Sequence, residues 1–194
     1  MVDPRTDKQA LRARVLGRRR LLSATDLAAD AAALRDLLLA DVLAGASTVA
    51  AYVSVGSEPG TGPVLEALEQ AGVETLLPVL LPDLDLDWAR YTGPDGLAPA
   101  ARGLLEPRAR PLGVDAVRRA SVLLLPALAV DRRGHRLGRG AGCYDRVLDR
   151  LVGSQVDTVA LLHDGEVLDL PLPREQHDRA VRAAATPSAL YRFG

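Results

Sequence analysis

The chain has 194 residues, 48% hydrophobic and 25% charged, with a formal net charge of -1. That balance suits one globular domain over residues 1–194 and excludes a disordered or membrane-embedded chain. With charges nearly cancelled, nothing favours nucleic acid or anionic lipid, so any anion site must be built locally.

Cys143 is the sole cysteine, which excludes an intrachain disulfide, and polar sequence rather than an apolar signal core follows Met1. The expected compartment is the cytoplasm, and the expected state is a monomer acting on small molecules, with no nucleic-acid or membrane partner. Of the 24 basic residues only Lys8 is a lysine, a point charge on a flexible stem among planar guanidinium forks.

Leu11, Val15 and Leu22 predict a basic helix over residues 5–22, with Arg18-Arg19-Arg20 on a solvated face. Ser23 to Asp26 supply capping chemistry for a second helix over 27–43, ended by Gly45. Short apolar runs at 48–53 and 74–79 flank a helix with Thr61 at its cap, Pro63 in its first turn and Gly72 after it. This strand–helix–strand unit predicts a parallel pair with a right-handed crossover.

Residues 82–111 are rich in Pro, Gly and Asp and predict an irregular insertion or short hairpin over one end of the sheet. Helical stretches follow at 112–120 and 144–152, and strands at 121–126, 157–162 and 181–185. Apolar runs without alternation suit strands covered on both faces. The fold class is α/β: a three-layer α/β/α sandwich around a mostly parallel sheet.

The informative stretch is Pro126 to Asp145, where a buried strand enters a loop with glycines at 134, 138, 140 and 142 before a helix. In such sheets ligands bind beyond the carboxyl ends of the strands. Gly138, Gly140 and Gly142 let the backbone aim N–H groups at one point, the helix start adds a positive dipole end, and Arg136 and Arg139 add charge. No Lys-Ser or Lys-Thr follows, so this is no P-loop, and Cys143 stands where the dinucleotide fingerprint needs its third glycine. The bland alternative is a tight connection with solvated arginines.

These residues resemble the signature of the 5-formyltetrahydrofolate cyclo-ligase family: Pro, apolar residues and Asp, then Gly-x-Arg-Leu-Gly-x-Gly-Gly-Gly-x-Tyr-Asp. Further segments match in order: Lys8 to Arg12, Tyr52-Val53-Ser54 with Glu58 to Thr61, Leu77 to Val79, Trp88, Leu105-Glu106-Pro107, and His177-Asp178 before a strand ending at Thr186. Ala141 and Cys143 depart from the pattern. Ala141 disfavours positive φ, so the loop must be right-handed or extended there. Cys143 reads as an inert packed thiol.

The resemblance implies a fold similar to ribose-phosphate isomerases and glucosamine-phosphate deaminases. It also implies ATP- and Mg²⁺-dependent closure of 5-formyltetrahydrofolate to 5,10-methenyltetrahydrofolate. Lys8, Arg136 and Tyr144 are the implied catalytic residues. ATP would be held by Lys8, Arg12, Arg136, Leu137, Gly138, Arg139, Gly140, Ala141, Gly142, Cys143, Tyr144 and Asp145. Tyr52, Val53, Glu58, Trp88 and Tyr144 would take the folate, although strand patterning alone puts Tyr52 in the core. Asp131 or Asp145 would hold Mg²⁺, Asp145 being nearly as well suited to cap the following helix. His135, His163 and His177 show no metal spacing. A non-catalytic nucleotide- or folate-binding regulator and a sugar-phosphate isomerase-like enzyme are the alternatives.

Overall fold

The computed structural model describes residues 4–173, 175 and 178–194, with the backbone alone for residues 4–6; the expectation for His177 lies outside these. Helix α1 (Pro4–Arg19) carries Lys8, Arg12, Val15 and Arg19 along one stripe, at three- and four-residue steps. Arg18 and Arg20 are exposed as expected, but Arg19 is only 2% exposed. Its guanidinium forms a bidentate pair with Glu166 at 2.7 and 2.8 Å, which corrects the solvated reading of that residue.

Helix α2 (Ala24–Asp41) starts at a capping box. The Asp26 N–H donates to Ser23 Oγ at 3.1 Å, and the Ser23 N–H donates to Asp26 Oδ2 at 3.0 Å. Strand β1 (Thr48–Ala50), α3 (Gly62–Gln70) and β2 (Glu74–Leu80) form the expected parallel unit, Thr48 opposite Glu74. Thr61 sits at the α3 cap without capping it, its hydroxyl accepting the Ser54 N–H at 2.9 Å instead.

The 82–111 segment is more regular than expected. β3 (Leu86–Arg90) pairs antiparallel with β2 as an edge strand of the main sheet, and β4 (Leu97–Pro99) with β5 (Leu105–Pro107) makes a hairpin. The helix expected at 112–120 is a single 3-10 segment, Val114–Arg119, entered through Gly113 at φ 98°.

The chain continues through β6 (Val122–Pro126), β7 (Ala129–Asp131), β8 (Arg136–Leu137), α4 (Cys143–Arg150), β9 (Asp157–Leu161), β10 (Val167–Leu168), β11 (Ala183–Ala185) and β12 (Leu190–Arg192). The seven-stranded sheet runs β12-β11-β9-β6-β1-β2-β3. Its inner pairings are parallel and its two edge pairings antiparallel.

Side chains alternate between the two faces. Val49, Leu77, Leu124 and Val159 pack with Leu34 and Leu38 of α2 and Val64 and Leu68 of α3. Ala50, Leu76, Leu123, Leu125 and Ala160 pack with Val147 and Leu148 of α4. This is the expected three-layer α/β arrangement. A small sheet, β10-β7-β8, seats α1 through Val15, Leu128, Leu137 and Leu172. No helix among the described residues is long and apolar enough to cross a membrane.

Candidate active site

A cleft of about 480 Å³ opens where β1 and β6 end, lined by Tyr52 and Val53 on one strand exit and Pro126 to Leu128 on the other. The loop 138–142 and the start of α4 form part of its wall, and α1 contributes Lys8 and Arg12.

Gly142 is the N-cap of α4 at φ 74°, and no side chain caps that helix. Gly140 lies at φ 105°, and a β-carbon there would come within 3.6 Å of the Arg12 guanidinium. A β-carbon on Gly138 or Gly142 would meet nothing within 4 Å. Among the described residues only Leu84 and Arg102 are non-glycines at positive φ, so Ala141 keeps an ordinary conformation as its side chain demands. A left-handed glycine on either side of Ala141 lets the backbone turn without straining it, and leaves first-turn N–H groups of α4 without a capping side chain.

Four cations surround this loop, and each is oriented. Arg12 Nε donates to the Gly138 carbonyl at 2.9 Å, bracing the loop from α1. Arg136, 8% exposed, places Nη1 2.9 Å from Asp145 Oδ1 and 3.2 Å from the Arg179 carbonyl, while its buried Nε has no partner. Lys8, 7% exposed, donates to Asp178 Oδ2 at 2.7 Å and stands 3.6 Å from Glu175. Arg139 pairs with Glu58 at 3.1 Å, joining the glycine loop to the turn after β1.

The rest of the wall is apolar, with Val53, Val55, Pro78, Leu80, Leu86 and Leu104. Tyr52 is 3% exposed and its hydroxyl has no partner. Burial, then the nearby Glu58 carboxylate, pushes this phenol well above its usual range. Tyr144 is raised for the same reasons, so both phenols stay neutral. Burial likewise pushes the Cys143 thiol up, in keeping with an unreactive cysteine. Glu58 accepts the Val55 N–H at 2.9 Å with its second oxygen.

Three expectations change here. Trp88 is fully buried in β3 within the sheet core and does not line the cleft, so it is removed from the folate-contacting set. Asp131 is also buried away from the cleft. Its carboxylate accepts N–H bonds from Arg133, His135 and Leu172 at 2.9–3.0 Å and meets the His135 ring at 3.3 Å, which makes it a loop organiser rather than a metal ligand. Burial alone would raise its pKa, but those N–H bonds win and hold it below the usual carboxylate range. Asp145 does not cap α4, because Gly142 occupies that position.

The other sequence-predicted residues line one cleft: Lys8, Arg12, Tyr52, Val53, Glu58, Arg136, Leu137, Gly138, Arg139, Gly140, Ala141, Gly142, Cys143, Tyr144 and Asp145. Sequence reasoning gave no role to Glu106, Glu175 and Asp178, which line it too. Glu106 and Asp178 fall in motif segments that carried a signal, whereas Glu175 had none. Among the described residues no cluster of three or more His, Cys, Asp or Glu side chains could hold a metal by itself.

Residues 4–187 match the model of the 5-formyltetrahydrofolate cyclo-ligase family. A Mycolicibacterium smegmatis 5-formyltetrahydrofolate cyclo-ligase is 41% identical over 191 residues, covering 96% of each chain. The Escherichia coli K12 protein of that name is 33% identical over 150 residues, 76% of this chain and 82% of that one. The NMR structure of Aquifex aeolicus 5,10-methenyltetrahydrofolate synthetase superposes with a TM-score of 0.82 at 25% identity, covering 96% of this chain and 92% of the other. A Mycoplasma pneumoniae 5,10-methenyltetrahydrofolate synthetase gives 0.74 at 18% identity, over 93% and 99% of the two chains, a likeness of fold alone. The chain is a ligase and belongs to the 5-formyltetrahydrofolate cyclo-ligase family.

Proposed function

We propose that this chain closes 5-formyltetrahydrofolate to 5,10-methenyltetrahydrofolate with ATP and Mg²⁺, releasing ADP and phosphate. The observation that carries the reading is the Arg136 side chain, buried at the cleft wall beside the glycine loop with an unpartnered Nε. A buried guanidinium N–H without an acceptor is costly, and an anionic ligand oxygen would satisfy it. The open space in front of Gly138 and Gly142 leaves room for that ligand to approach the backbone.

A formamide carbon is a poor electrophile because its oxygen is a poor leaving group. Transfer of the γ-phosphoryl to that oxygen makes it one, with ADP leaving. The neighbouring folate nitrogen then forms the new carbon–nitrogen bond, and phosphate departs. Phosphoryl transfer asks a protein for positioning and charge neutralisation. Lys8, Arg12, Arg136 and Arg139 supply the charge, and the backbone of 138–145 supplies N–H donors. Asp145 is the carboxylate that would hold Mg²⁺, directly or through water, and the ion would supply further neutralisation of phosphate charge.

The apolar wall beside Tyr52 and Tyr144 suits the flat folate, with Glu58 accepting from pterin N–H groups. We further read the chain as a cytoplasmic monomer. The test is an absorbance assay for methenyltetrahydrofolate with 5-formyltetrahydrofolate and Mg-ATP. Product formation that requires ATP supports the reading, and no product at high enzyme concentration overturns it.

A further inference from the structure

His163 follows the carboxyl end of β9, is buried, and plays no part in the chemistry above. Both of its ring nitrogens face oxygen acceptors. Nδ1 lies 2.8 Å from Asp30 Oδ2 on α2, and Nε2 lies 3.2 Å from the Ser57 carbonyl. A neutral imidazole donates from one nitrogen only, so the imidazolium alone satisfies both contacts. The His163 backbone N–H also donates to Glu166 at 2.8 Å, the carboxylate held by Arg19.

Ser57 belongs to the turn that presents Glu58 to the cleft. The turn is closed at its neck by reciprocal bonds between Ser54 and Thr61, at 2.9 and 3.1 Å. It meets α2 at two points. Gly60 packs so closely on Ala31 that a β-carbon would come within 2.7 Å of the Ala31 side chain. The second point is the His163 bridge from Asp30, the adjacent residue on α2.

We propose that His163, as the imidazolium, is a positioning residue that holds the 54–61 turn, and with it Glu58, against α2 for binding of the folate substrate. This rests on the reading of the cleft as the folate site. Loss of the ring proton leaves a lone pair facing an oxygen. The Asp30 carboxylate keeps the remaining N–H, so the longer Ser57 contact is the one that breaks. Charged groups next to His163 include Asp30 from α2 at its Nδ1, Asp164 from its own loop, and Glu166, which accepts its backbone N–H.

The experiment is KM for 5-formyltetrahydrofolate and for ATP, with kcat, in the wild type and in variants at either end of the bridge. His163→Gln should raise the folate KM roughly tenfold, the loss of one charge-assisted hydrogen bond, while the ATP KM and kcat hold. Asp30→Asn, which removes the carboxylate on the α2 side of the bridge, should raise the folate KM in the same way.

A folate KM unchanged in His163→Gln, or an equal rise for both substrates, overturns the proposal. So does a proton–nitrogen NMR spectrum of the wild-type protein that shows His163 neutral. If 5-formyltetrahydrofolate is not turned over at all, the proposed function fails first, and the NMR spectrum still decides the state of His163.

Discussion

Arg136 Nη1 stands 2.9 Å from Asp145 Oδ1, so one contact sets both the buried guanidinium of the cleft and its candidate metal carboxylate. Arg136→Ala should therefore act on both, lowering kcat/KM by the equivalent of about 2–4 kcal/mol through lost charge-assisted bonds. Lys8→Ala should cost a similar amount. Steady-state kinetics of both variants check this, and normal turnover in both would remove these residues from the site.

Gly138 and Gly140 should separate ligand space from backbone conformation. Gly140→Ala places a side chain at φ 105° and should destabilise the fold by about 1–3 kcal/mol, seen as a lowered Tm. A β-carbon at Gly138 meets no protein atom, so Gly138→Ala should leave Tm unchanged yet raise the KM for ATP. Equal effects of the two on Tm would contradict the loop geometry.

Asp131 and Asp145 should part in their metal dependence. Asp145→Asn should raise the Mg²⁺ concentration needed for half-maximal activity, and Asp131→Asn should not. Asp131 instead carries a pH effect on stability. Its folded-state pKa lies below the unfolded one, so its stabilisation is full above about pH 4 and is lost as pH falls through the folded value. Asp131→Asn should lose about 1–3 kcal/mol at neutral pH and flatten the acid limb of the stability curve, as read by urea unfolding at a series of pH values.

The glycine loop was legible as a strand-to-helix turn because the glycines at 138, 140 and 142 stand between a buried strand and a helix, and Gly140 and Gly142 do take positive φ. The inner strands were legible from uninterrupted apolar runs. β3 was not, because Leu86–Arg90 holds Asp87 and lies among Pro, Gly and Asp, and its strand character comes from pairing with β2. Trp88 was misplaced for that reason. Arg19 reads as one of three surface arginines until Glu166, 147 residues on, supplies its partner. Asp131 carries a motif aspartate's chemistry but spends it on backbone N–H groups that only the folded loop brings together.

Breaking the Arg19–Glu166 pair should be severe, because the surviving charge stays buried. Arg19→Met should lose about 3–5 kcal/mol in chemical unfolding, whereas Arg20→Met, at an exposed position, should stay within about 0.5 kcal/mol of wild type.

The most direct measurement follows oxygen. With ¹⁸O in the formyl group of 5-formyltetrahydrofolate, phosphorylation of that oxygen predicts one labelled oxygen in each phosphate released, read by mass spectrometry. Product formation with unlabelled phosphate would contradict it.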